Sequence, residues 1–186
     1  MANINRDQAL ALLKKYTQSE SLLKHAFAVE AAMRAYAKKF AEDEEKWAIT
    51  GLLHDFDYEK FPDRHPWEGN KILTNKGIDE DIRKAIMGHA VFTDTARDTL
   101  MARTLFAVDE LSGFITAVTL VRPNKALSEV KPRSVKKKMK DKRFAAKVNR
   151  QEMLQGAEEL GVDFDEHIVF VCNAMSQVSS ELGLNP

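Results

Sequence analysis

The adjacent residues His54 and Asp55 carry the first chemical signal in this chain. They end an apolar helical run, Trp47-Ala-Ile-Thr-Gly-Leu-Leu-His-Asp. His25 lies upstream, Asp109 downstream, and His65 and His89 fall between them. Imidazole nitrogen and carboxylate oxygen are ligands that Zn, Mn, Fe and Ni accept, whereas Mg prefers oxygen. A single inward-facing histidine is more often a hydrogen-bonded core residue than a ligand. The ordered set His25, His54, Asp55 and Asp109 is far more specific, and it points to a metal-binding centre.

These residues need elements that turn them inward. Helical spacing recurs along the chain, and no alternating stretch is long enough to argue for a strand. Asn5 can cap a first helix that ends near Tyr16, and Ser19 or Ser21 can start a second that runs to about Phe40. Leu22, Val29, Met33, Tyr36 and Phe40 form the apolar face of the second helix, and His25 shares it. The acidic turn Glu42-Asp43-Glu44-Glu45 suits the positive end of a third helix, which carries Trp47, Leu52, His54 and Asp55. Pro66 is placed to open the next helix and Gly77 to close it. Asp79 caps another, with Ile82, Ala85, Ile86 and His89 on one stripe. A long helix spans about Arg97 to Val121, with Asp109 near its middle. Helical potential between Ser134 and Val148 is short. Asn149 can cap a helix ending at Gly161, and Asp163 or Asp165 can start a last one, Phe164 to Leu182, with Gly183 at its end.

An ionised aspartate in an apolar mid-helix setting is costly unless it is paired or bound to metal. Asp109, beside Val108 and Leu111, is therefore expected to be buried close to His54. His54 and Asp55 point about 100° apart on a helix. Both can reach one ion only near the helix end. Helix bundles build metal sites this way, from inward side chains on facing helices.

The order H…HD…H…H…D resembles the HD superfamily of metal-dependent phosphohydrolases, over roughly Ser21 to Val121. The resemblance implies an all-α fold, an HD-domain helical bundle with a short C-terminal helical extension. It implies a divalent metal held by His25, His54, Asp55 and Asp109. It also implies a second ion taken by His65 and His89, with Asp55 bridging. The metal would be Mn, Zn, Fe, Ni, Co or Mg. Hydrolysis of a phosphate ester by metal-activated water is the implied reaction, with Asp55, Asp109, His65 and His89 as catalytic candidates. The chain departs from the cyclic-dinucleotide branch of the family: it reads His-Asp-Phe-Asp and has no Gly-Tyr-Pro motif. That branch's specificity does not transfer. The same six residues also suit a diiron oxygenase of similar ligand pattern. A non-catalytic regulatory module usually loses ligands, and none is missing here.

Composition bounds the rest. The chain has 186 residues, 44% of them apolar and 30% charged. That balance suits one globular domain. Residues 1–122 would form the metal-binding core, and 123–186 a basic segment and C-terminal helices packed on it. No apolar stretch is long enough for a membrane span, and Met1 to Asp7 lacks a signal-peptide core. Cys172 is alone and is expected to be a buried thiol in a reducing cytoplasm. Net charge is zero, but Lys131–Arg150 holds ten basic residues against Asp141, so the remainder is net −9. Arg122, Lys125 and Arg133 are candidate phosphate contacts, although a lysine run is usually a solvated face. Phe144 is the one aromatic in the segment, so nucleic-acid stacking is not expected. The expected partner is a small phosphorylated substrate, a nucleotide or metabolite. His167, beside Glu166, is expected at the surface or capping a helix.

Overall fold

The computed structural model describes residues 4–185. Ten α-helices follow in order: α1 Arg6–Tyr16, α2 Glu20–Phe40, α3 Glu44–Leu53, α4 Trp67–Asn75, α5 Glu80–His89, α6 Leu100–Leu120, α7 Pro132–Met139, α8 Arg150–Leu160, α9 Phe164–Ser176 and α10 Ser179–Leu182. No strand occurs among the described residues. The architecture is all-α, as the apolar spacing predicts.

Local rules explain most boundaries. Asn5 accepts from Gln8 N–H while the Gln8 side chain accepts from Asn5 N–H, a reciprocal cap that starts α1. Asp43, Thr99, Asn149 and Asp163 cap α3, α6, α8 and α9 with their side-chain oxygens. Gly77, Gly161 and Gly183 end helices at φ 69°, 73° and 67°. That left-handed region costs glycine nothing.

The central element is α6. Its buried residues, from Met101 to Thr119, face all sides, as expected of a helix enclosed by others. α8 packs along it, with α2, α5 and α9 on its other flanks. Two close approaches set the helix spacing. A Cβ on Gly51 would lie 2.9 Å from Met33 Cγ and 3.0 Å from Val29 O, so α2 and α3 touch there almost backbone to backbone. A Cβ on Gly156 would lie 2.6 Å from Ala107 Cα, which does the same for α8 and α6. α1 is tied across α2 by Arg6, whose Nε and Nη2 reach the buried Glu30 carboxylate at 2.5 and 2.9 Å.

Four local expectations are corrected. Asp55 lies beyond the end of α3, in a run of turns, with His54 as the C-terminal cap residue. Pro66 sits at the cap position, one residue before α4. The last predicted helix is broken at Gln177 and Val178 into α9 and α10. Helix α7 stops at Met139, because Arg150 draws the carbonyls of Phe144, Ala145 and Val148 onto its guanidinium and closes the chain into turns. No helix among the described residues is long and apolar enough to cross a membrane.

Candidate metal centre

His25 comes from the first turns of α2, His54 from the end of α3, and Asp55 from the turn after it. His65 precedes Pro66 across a cis peptide bond. His89 ends α5, and Asp109 lies in the middle of α6. Helix crossing thus gathers residues 84 positions apart. The four imidazoles form a file, with ring centroids 5.1 Å apart for His25–His54, 5.3 Å for His54–His89 and 5.2 Å for His65–His89.

The six side chains fall into two triads. His25, His54 and Asp109 form one, and Asp55, His65 and His89 the other; within each, the facing atoms lie within 4.8 Å of one another. Asp109 Oδ1 is 3.0 Å from His25 Nε2 and 3.3 Å from His54 Nε2. Asp55 Oδ1 is 3.2 Å from both His65 Nε2 and His89 Nε2, while its Oδ2 is 3.5 Å from His54 Nε2. One carboxylate therefore faces both triads with separate oxygens.

The far side of each ring decides what its near side can do. His54 Nδ1–H donates to Gly51 O at 2.7 Å, and His89 Nδ1–H donates to Ile86 O at 2.5 Å. His65 Nδ1–H donates to Asp57 Oδ1 at 2.7 Å; Asp57 Oδ2 accepts from Gly69 N–H at 2.7 Å. Carbonyls and carboxylates only accept, so these three rings carry their proton on Nδ1 when neutral. Their Nε2 lone pairs then face each other and two carboxylates. His65 Nε2 and His89 Nε2 stand 3.3 Å apart, and the buried His54 Nε2 has no hydrogen-bond partner. Acceptors crowded against acceptors need positive charge between them, a proton or a metal ion. Nitrogen and carboxylate oxygen in this number fit divalent transition metals, and the Nδ1 partners are the orienting contacts that metal-binding imidazoles use.

The electrostatics show how strongly the cluster attracts positive charge, whether a proton or a metal ion. Burial disfavours charge on His89, but Asp55 beside it overcomes this and raises the imidazole to about 9. Burial likewise opposes a charge on His54, and Asp55 and Asp109 reverse it upward. Burial also opposes ionisation of Asp55 and Asp109; for both, His54 and a second histidine pull the carboxyl well below the usual range. Asp109 is thus an ionised, mostly buried aspartate with a side chain 17% exposed, close to His54. This is the setting its mid-helix position predicts.

The site opens into a cleft of about 600 Å³. His25, Asp55, His65, His89 and Asp109 line it together with Tyr58, Phe92, Lys147, Asn149 and Glu152. Residues 22–113 match the HD domain family. The chain belongs to the HD superfamily. No curated protein and no solved structure matched it. HD domains are mostly metal-dependent hydrolases that bind divalent metals, and the two triads of this HD domain are groups that can hold such ions.

The remaining sequence candidates lie elsewhere. Arg122, Lys125 and Arg133 do not line the HD-domain cleft. Arg122 is past the end of α6, roughly 20 Å along the axis from Asp109 at about 1.5 Å per residue. Proximity in sequence to the Asp109 helix points the wrong way along it. The Lys-rich segment borders the opening through Lys147 instead. His167 is neither at the surface nor a cap: it is 1% exposed, accepts from Tyr36 O–H at Nδ1 (2.6 Å) and donates from Nε2 to Ala107 O (2.9 Å). Its polar identity and place beside Glu166 suggest solvent, but its stripe of α9 faces α6 and α2. Burial pushes its pKa down to about 4. Cys172 is a buried free thiol. Asp57 and Gly69, which hold His65, escape sequence reasoning. The one trace is the second aspartate in His-Asp-Phe-Asp.

Proposed function

We propose that this protein is a divalent-metal-dependent phosphohydrolase that acts on a small phosphate ester, such as a nucleotide or phosphorylated metabolite, and that two ions sit on triads bridged by Asp55. The observation that carries the reading is the set of Nε2 atoms turned toward Asp55 and Asp109 while the Nδ1–H groups of the same rings are held from behind.

When bound, divalent metal supplies Lewis acidity toward phosphate oxygens and makes water a nucleophile near neutral pH. His25, His54 and Asp109 would hold one ion, and His65 and His89 the second, with Asp55 offering one oxygen to each. Asp57 keeps His65 in the tautomer that presents Nε2. Among the described residues no serine or cysteine lines the cleft, and water is the nucleophile in this reading. Leu22, Tyr58 and Phe92 give the organic part of the substrate an apolar wall.

The test is a panel of phosphomonoesters and phosphodiesters assayed with Mn, Ni, Co, Zn and Mg, alongside metal analysis. Metal-dependent release of phosphate that is lost in Asp55→Ala supports the reading. The absence of turnover with every metal, in protein shown to be loaded, sinks it. A carboxylate bridging two His-rich triads also suits a diiron oxygenase. Oxygen uptake by iron-loaded protein without phosphate release would favour that alternative.

A further inference from the structure

We infer that Lys147, contributed from outside the matched segment 22–113, binds the phosphoryl group of the substrate. The inference rests on the phosphohydrolase reading for the identity of the ligand. It adds a substrate-binding residue from the C-terminal part of the chain.

Lys147 is the one lysine or arginine among the residues that line the metal cleft. The acids around it, Asp55, Asp109, Glu110 and Glu152, would repel a phosphate dianion, so a cation there has a clear use. Lys147 is not consumed by those acids. Among the described residues it forms no ion pair, although Glu110 and Glu152 line the same cleft. Each of those acids accepts one hydrogen bond from Asn149. Its backbone N–H donates to Glu110 Oε2 at 3.2 Å, and its Nδ2 donates to Glu152 Oε1 at 2.6 Å. With no ion pair of its own, the ammonium can serve a ligand, and a lysine suits phosphate as a mobile point charge.

The loop that carries Lys147 is built rather than loose. Arg150 Nη1 donates to Ala145 O at 2.7 Å and Val148 O at 2.6 Å, and Nη2 donates to Phe144 O. The guanidinium lies over the Phe114 ring, 5.0 Å from its centroid, and Phe144 meets the same ring edge-on at 5.5 Å. Phe114 belongs to α6, five residues beyond Asp109. The loop is thus anchored to the helix that supplies a candidate metal ligand, and it brings Lys147 to the lining of the cleft. Arg150 is a positioning residue in this scheme.

The full-length, manganese-loaded protein tests it with two probes: orthophosphate in a binding titration, and para-nitrophenyl phosphate in turnover. Lys147→Met should weaken orthophosphate binding roughly tenfold or more, the loss expected for one charge-assisted contact. It should raise KM by a similar factor, with metal content unchanged. Lys147→Arg should recover most of both. Lys142→Met, which removes an exposed charge from the same segment away from the cleft, should change neither. Lys147 is exposed, so the substitution does not threaten folding. Orthophosphate affinity within twofold of the parent in Lys147→Met, or an equal loss in Lys142→Met, overturns the inference. So does a loaded parent that binds no orthophosphate. Binding needs no turnover. A parent that binds phosphate through Lys147 yet hydrolyses nothing would sink the hydrolase reading and leave this contact standing.

Discussion

Gly69 presses its bare Cα against the Asp57 carboxylate. A Cβ at position 69 would lie 2.7 Å from Asp57 Cγ and 2.9 Å from each carboxylate oxygen, while Gly69 N–H donates to Oδ2 at 2.7 Å. Asp57 in turn holds His65 Nδ1. A glycine in α4 therefore sets the angle of an imidazole it does not touch.

Gly69→Ala should push Asp57 aside and loosen His65. Partners of this kind are worth roughly 10–100-fold in metal affinity. We expect a loss in that range for the ion at Asp55, His65 and His89, and little change for the ion at His25, His54 and Asp109. A competitive zinc titration resolves the two. Unchanged affinity at both sites would show that Asp57 does not orient His65.

Metal count turns on His65 and His89. Replacing both with alanine should remove one equivalent of metal and most activity, and leave one ion on His25, His54, Asp55 and Asp109. Elemental analysis of parent and double variant decides it. Equal stoichiometry would mean a mononuclear centre, with the two histidines serving substrate or proton transfer.

The contact between α8 and α6 offers a stability test remote from the metal ligands. Gly156→Ala places a methyl 2.6 Å from Ala107 Cα, where backbone must move. Overpacking of this kind costs about 1–3 kcal/mol. The melting temperature should fall by several degrees, with metal content retained. An unchanged melting temperature would show that the two helices can part freely.

His167 should make stability depend on pH in acid. Burial pushes its folded pKa to about 4, against an ordinary histidine value of 6.5. Below about 6.5 the unfolded chain takes up a proton that the folded protein refuses, so stability falls as pH drops toward about 4, by roughly 3 kcal/mol in all. Above about 6.5 this group contributes no slope. His167→Gln should be less stable than the parent at pH 7, since the contacts to Tyr36 and Ala107 change, and the gap should narrow toward pH 4.5. Urea unfolding in the presence of chelator measures both. A gap independent of pH refutes the assignment.

Much of the helical frame follows from neighbours within four residues, and that is why it is legible in the chain. Asn5, Asn149 and Asp163 cap helices where their side chains can reach the next N–H groups. Gly161 ends α8 because the left-handed turn there favours glycine. The ordered ligands His25, His54, Asp55, His65, His89 and Asp109 are legible for a different reason: buried polar residues on apolar stripes need partners, and their order matches a known pattern. What happens between helices is not legible. Spacing on α9 does not say that His167 meets Tyr36, 131 positions away, or that α6 supplies the carbonyl that holds its other nitrogen. Nor does spacing say what packs beside the middle of α6, so the sequence points to Arg122, past the helix end, while Lys147 lines the cleft. The division of the six ligands into two triads rests on which atom of Asp55 faces which ring, a matter of ångströms set by helix crossings and by Asp57 and Gly69 behind His65. Side-chain periodicity assigns a residue to a face; only the packing of faces against one another assigns its atoms to a partner.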